Sequence, residues 1–161
     1  MKRLLIGSGA LLFAGSAVWA ATETDTFEVT ATVVSACTVS ASDLSFGNYD
    51  PLAALATQAT TTVSVTCSLL APYQIGLDAG LHGGSVTGRQ MQISGDTDTL
   101  DYDLSQDVAH TTNWGNTVDT DTVSGVGTGL AVPTIVYGQI PAQQNATVGS
   151  YADTITVTVT F

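Results

Sequence analysis

Thr154-Ile155-Thr156-Val157-Thr158-Val159-Thr160-Phe161 decides the fold. Ile155, Val157, Val159 and Phe161 alternate with threonines, and a period of two places the two sets on opposite faces of a strand. Threonine is β-branched and polar, so it suits the wet face while its neighbours turn toward a core. The same alternation stands near the start of the chain, where Phe27, Val29, Ala31 and Val33 interleave with Thr26, Glu28, Thr30 and Thr32. Further strands are expected over 60–68, 73–78, 91–94, 100–104 and 134–138. Turn signals separate them: Phe46-Gly47-Asn48-Tyr49-Asp50-Pro51, His82-Gly83-Gly84, Gly125-Val126-Gly127-Thr128-Gly129 and Val148-Gly149-Ser150. No amphipathic helix is expected, only a helical turn near 52–56. Many short strands in one domain's length predict an all-β sandwich.

Residues 1–20 read as a cleaved secretory signal: Lys2 and Arg3, an apolar run from Leu4 to Val18, then Val18-Trp19-Ala20. The run is shorter than the ~20 residues that span a bilayer and is diluted by Ala, Gly and Ser. With Lys2 and Arg3 in the leader, Arg89 stands alone against 14 acidic residues, a formal net charge of −13. A chain so poor in cations cannot neutralise phosphates, which excludes nucleic acid, and an anionic membrane surface repels it. No second hydrophobic segment follows, so no membrane insertion is expected. Charged residues make up only 11% of the chain and its mean hydropathy is positive, which argues against a disordered acidic tail. Cys37 and Cys67, an even pair in an exported chain, are expected to form a disulfide. Closing such a loop contributes about 3–4 kcal/mol in the chain-entropy account.

Catalysis finds no support. His82 sits at a Gly-rich turn and His110 in a polar one, and neither adjoins a recognised nucleophile, so no catalytic residue and no cofactor are expected. The acidic run Asp96-Thr97-Asp98-Thr99-Leu100-Asp101-Tyr102-Asp103 offers oxygen ligands for calcium. It lacks the Gly and closing Glu of an EF-hand, and Asp101 and Asp103 alternate with Leu100, Tyr102 and Leu104 like the wet face of a strand, so no metal is expected. The Gly-rich stretch at 125–129 lacks the lysine and helix of a phosphate loop and reads as a plain loop. Asn145-Ala146-Thr147 is a sequon of the kind that chance supplies. Tyr49, Tyr73, Trp114, Tyr137 and Tyr151 make a carbohydrate platform conceivable, but aromatics beside turns more often cap a sandwich end with the polar tip wet.

These marks, taken in order, resemble the spore coat U domain family, which includes major subunits of archaic (Csu-type) chaperone–usher pili. The stretches that carry the resemblance are Ala36-Cys37-Thr38-Val39, Leu44-Ser45-Phe46-Gly47-Asn48-Tyr49-Asp50, Val65-Thr66-Cys67 and Tyr73-Gln74-Ile75-Gly76-Leu77-Asp78-Ala79-Gly80. They continue with Arg89-Gln90-Met91, Leu100-Asp101-Tyr102-Asp103-Leu104, Trp114-Gly115, Val136-Tyr137-Gly138-Gln139-Ile140-Pro141 and Gly149-Ser150-Tyr151-Ala152-Asp153-Thr154.

The resemblance implies an incomplete immunoglobulin-like β-sandwich that lacks its final strand. Its hydrophobic groove is filled first by a periplasmic chaperone and then by the N-terminal strand of a neighbouring subunit. On this reading residues 21–34 are the donor segment, with Phe27, Val29, Ala31 and Val33 as its apolar face, and 35–161 form the sandwich. Alternatively, part of that segment is the first strand of its own domain. The groove is expected to be lined by Ile155, Val157, Val159 and Phe161, with the sequence stopping inside that strand. Head-to-tail strand transfer builds an open homopolymer. The implied partners are like subunits, the chaperone, an outer-membrane usher and a tip adhesin subunit. Export through the periplasm to the cell surface, adhesion and biofilm formation follow, and room for one domain places the chain in the shaft. The rivals are a spore or cell-envelope coat protein of the same fold and a monomeric sugar- or calcium-binding module.

Overall fold

The computed structural model describes residues 19–161. The leader expected over 1–20 therefore lies outside the described residues but for Trp19 and Ala20. Nine strands and no helix are present among them: β1 (Cys37–Ala41), β2 (Thr57–Cys67), β3 (Pro72–Leu77), β4 (Arg89–Ile93), β5 (Thr99–Ser105), β6 (Val123–Val126), β7 (Ala131–Ile140), β8 (Tyr151–Ala152) and β9 (Val157–Thr160). They form a six-stranded sheet in the order β1-β2-β7-β5-β4-β8 and a three-stranded sheet in the order β6-β3-β9. Every pairing is antiparallel.

Alternation places the core. Val63, Val65 and Cys67 of β2, Tyr73, Ile75 and Leu77 of β3, and Leu100, Tyr102 and Leu104 of β5 are buried, with Val136 and Ile140 of β7 and Trp114 packed among them. Between the buried residues of β5, Asp101 is exposed and Asp103 half-buried, as expected for the wet face of a strand. The expected strands at 60–68, 73–78, 91–94, 100–104 and 134–138 correspond to β2, β3, β4, β5 and β7.

Three strands stand where none is expected, and the reading of 125–129 as a plain loop needs correction. β1 is short, β8 has two residues, and β6 lies in the Gly-rich stretch read as a loop. Gly125 pairs with Tyr73 within β6, and a Cβ there would stand 2.4 Å from the Tyr73 ring; the loop proper is Gly127-Thr128-Gly129. The alternating segment at 27–33 forms no strand, since a lone strand leaves its backbone groups without partners. The sandwich unit is Val33–Phe161, and residues 19–32, taken by themselves, are exposed throughout.

Candidate functional site

β1 and β9 are the edges of their respective sheets, each with one hydrogen-bonded neighbour, and they lie beside each other across the sandwich. Both therefore present an unpaired row of backbone groups. Cys37, Val39 and Ala41 of β1 stand directly opposite Cys67, Val65 and Val63 of β2, so they turn toward the core. Val65 is fully buried, yet its partner Val39 is 41% exposed. The difference marks a missing cover over β1. Val157 and Val159 of β9 are half-buried on the facing wall. Between the walls lies a cavity of about 360 Å³ whose lining includes Ala41, Val63, Leu77, Val136, Ile155 and Val157. A second cavity of about 540 Å³ shares Leu44, Phe46, Met91 and Tyr151 with it, so the opening runs on.

The chain between β1 and β2 fills part of this opening. Leu44 and Phe46 lie over Gly138 of β7, where a Cβ would approach them to 2.6 and 2.9 Å. Phe46 meets the buried Tyr102 edge-on at 6.3 Å and 62°. Glycine at 138 is thus what lets this segment reach the core.

Two aspartates fix the start of β9. The chain crosses from one sheet to the other between β8 and β9. Thr156 N–H donates to Asp78 Oδ1 at 2.9 Å, Leu81 N–H to Asp153 Oδ1 at 2.8 Å, and the Tyr102 hydroxyl to Asp153 Oδ2 at 2.6 Å. Burial pushes the Asp78 carboxyl up, but hydrogen bonds from Thr156 and Gly80 and the nearby Arg89 charge outweigh it and hold it below the usual carboxylate range. Burial, reinforced by the bond to Asp153, pushes the Tyr102 hydroxyl well above the usual range.

Arg89 ties this end together. It is fully buried and donates through Nε to Asp78 O (2.7 Å), Nη1 to Val86 O (2.8 Å), and Nη2 to Leu77 O (2.9 Å) and Trp114 O (2.7 Å). Trp114 in turn donates through Nε1 to Ile75 O at 2.9 Å. The buried side chains of Arg89 and Trp114 therefore brace β3, the strand on which β9 is laid.

Of the residues expected to line a groove, Val157 and Val159 lie in β9 and face inward, and Ile155 lies in the crossover, partly buried against the core. Phe161 stands past β9 and is mostly exposed. The opposite wall, Val39 and Ala41, and the Leu44–Phe46 plug were missed. Their signal was the alternation of Cys37, Val39 and Ala41 with Thr38, Ser40 and Ser42. Cys37 and Cys67 are bridged as expected. The aromatic platform is not formed: Tyr73 and Trp114 are buried, and Trp114 has no wet tip. Among the described residues no three His, Cys, Asp or Glu side chains converge as metal ligands.

Residues 23–158 match the family model of the Spore Coat Protein U domain. The chain is 39% identical over 170 positions to Protein U of Myxococcus xanthus, covering 97% of this chain and 94% of that one. Its structure is similar to a chain of the CsuC–CsuE chaperone–tip adhesion subunit pre-assembly complex from the archaic chaperone–usher Csu pili of Acinetobacter baumannii. That likeness has a TM-score of 0.60 at 25% identity and covers 81% of this chain and 40% of that one, so this chain spans less than half of the solved chain. The fold shared with that structure is an immunoglobulin-like sandwich. On sequence match and fold together, the chain belongs to the Spore Coat Protein U domain family.

Proposed function

We propose that this chain is a structural pilin, a shaft subunit of an archaic chaperone–usher pilus, which polymerises by placing its N-terminal strand in the groove of the next copy. One observation carries the reading. The same chain holds a groove bounded by the free edges of β1 and β9 and an exposed segment with the alternation of a strand. Phe27, Val29 and Val33 of that segment are 88%, 81% and 92% exposed. The remaining parts follow from the resemblance to the Csu assembly: a periplasmic chaperone that covers the groove first, an outer-membrane usher, a tip adhesin subunit, display at the cell surface, adhesion and biofilm formation. The role is structural, with no catalytic chemistry.

The sequence before β1 favours donation to another copy over insertion into its own groove. Ala36 continues the β1 ladder: its N–H donates to Ser68 Oγ at 3.1 Å and its carbonyl accepts from Ser68 N–H at 2.9 Å. The tightest fold-back is then a two-residue turn at Val34-Ser35. Such turns want positive φ, which a β-branched residue avoids. For that turn the register is against it as well. With Val33 opposite Ala36, the residues opposite the inward-facing Cys37, Val39 and Ala41 become Thr32, Thr30 and Glu28. A carboxylate would enter the groove while Phe27 and Val29 faced water. A neighbour's groove imposes neither constraint.

The test uses chaperone complexes of the wild type, Val29→Asp and Thr30→Asp, each assayed for filament growth. Burying a valine is worth ~1.5–3 kcal/mol, and a buried unpaired carboxylate costs more than that gain. All three complexes are expected to be folded, with filaments abolished for Val29→Asp and near normal for Thr30→Asp. Equal effects of the two substitutions would refute the donor role.

The 39% identity to Protein U, in a family described by a spore coat protein, favours a second reading: a non-filamentous coat layer built on the same sandwich. Electron microscopy of the assembled protein separates the two, since extended filaments support the pilin and a sheet or amorphous layer the coat.

A further inference from the structure

We infer that the disulfide-bearing pole of the sandwich is a second contact surface, and that it docks on the neighbouring copy that receives the N-terminal strand. The inference rests on the strand-donation reading and extends it from one strand to the bodies of the two subunits.

The pole is apolar and rigid. Leu69, Leu70 and Leu130 are 71%, 76% and 73% exposed, and Val126 is 54% exposed. Val126 ends β6, and the leucines sit on two loops held together by backbone bonds: Leu70 N–H to Gly127 O at 2.8 Å, Gly127 N–H to Ala71 O at 2.7 Å, and Gly129 N–H to Cys67 O at 3.1 Å. The loops approach so closely that a Cβ on Gly127 would stand 2.1 Å from Ser68 O. Leu70 has φ 64°, in the left-handed region that a bulky residue adopts only at a cost. Glycine or asparagine would meet that backbone more easily. The sequence instead keeps a leucine there and turns it to solvent.

Charge points to the occupant. The chain has a formal net charge of −11, yet residues 33–42, 54–77 and 122–152 contain no Asp, Glu, Lys or Arg. These stretches contain β1, β2, β3, β6, β7 and β8, and with them both pole loops. Two copies of so acidic a protein repel each other across most faces, and a charge-free apolar pole is where they can meet without like-charge juxtaposition.

Reach brings them there. Val33 is four Cα steps from Cys37, a span of at most about 14 Å. Cys37 is bonded to Cys67, whose Cα is 4.1 Å away and which precedes Leu69 by two residues. With Val33 seated in a neighbour's groove, that neighbour's surface stands against this pole.

The experiment compares full-length wild type, Leu70→Gly, Leu130→Asp and Val29→Asp, following filament growth by light scattering and the temperature at which filaments come apart. Glycine relieves the strained φ at 70, so the Leu70→Gly subunit itself is expected to melt no lower than wild type. Its filaments are nevertheless expected to form roughly tenfold less readily at equal subunit concentration, since one buried leucine is worth at least that factor in association. Leu130→Asp, which adds like charge to the contact, is expected to lose more. If both variants grow and dissociate as wild type while Val29→Asp abolishes filaments, the pole contact is overturned and strand donation stands. If Val29→Asp filaments also grow normally, strand donation fails and takes the pole contact with it.

Discussion

The single arginine of the sandwich carries no surface charge. Arg89 is buried and spends its donors on four backbone carbonyls, from Leu77, Asp78, Val86 and Trp114. Its role is geometric: a planar fork with several fixed N–H directions can serve carbonyls from three stretches of chain at once. Burial pushes the guanidinium pKa down, and the carboxylates of Asp78, Asp103 and Asp121 counter it. Lysine keeps the charge but offers one compact ammonium on a flexible stem. Arg89→Lys is therefore expected to leave buried carbonyls unpaired, at ~1–3 kcal/mol for each such group. Denaturant unfolding of the strand-complemented subunit should register a loss on the order of 3 kcal/mol. Gln90→Ala, one residue along and facing the exposed Asp101, should stay within about 0.5 kcal/mol. Equal losses at the two positions would show that the fork is not what holds this end.

Among the elements, β1 is the most dependent on help. It has five residues, one hydrogen-bonded neighbour and an inner face that is only half covered. The Cys37–Cys67 bridge joins directly opposed residues at its first position and pins its register to β2. Replacing both cysteines with serine is expected to cost about 3–4 kcal/mol. Amide exchange should accelerate across 37–41 well before it does in the central strand β7; unchanged exchange at β1 would show that the bridge does not hold this edge. The same weakness explains what could be read in advance. β2, β5 and β9 announce themselves because bulky and polar residues alternate over a full strand. β1 offers Val39 alone between a cysteine and an alanine, β6 is masked by Gly125, and β8 is too short to show a period. Ile155 looks like strand, yet Asp78 takes the Thr156 N–H and turns that stretch into a crossover. Only the wall formed by β9 was therefore legible. The other wall comes from residues more than 100 positions earlier, and nothing in local periodicity couples the two.

At the scale of the whole molecule, the unpaired edges and the cavity between the sheets describe a sandwich short of one strand's worth of burial. Exposed edges with an apolar floor recruit other chains, so the subunit without chaperone or donor is expected to self-associate. On the strand-donation reading, full-length chain carrying Val29→Asp isolates this deficit, because its N-terminal segment can then no longer enter any groove while its acceptor surface is intact. A synthetic peptide of residues 22–34 with the natural sequence should then raise its melting temperature in a concentration-dependent way. Linkage sets the scale, about 2.7 kcal/mol of added stability when the peptide is at a hundred times its dissociation constant. The same peptide bearing Val29→Asp should give no shift, and one bearing Thr30→Asp nearly the full shift, because the two positions lie on opposite faces of one strand. A melting temperature indifferent to the natural peptide would mean that the opening between β1 and β9 is not a strand acceptor. A shift given equally by all three peptides would mean that they bind through composition rather than through the alternating face. Only graded behaviour that follows residue parity ties the missing strand of the sandwich to the exposed segment of the same sequence.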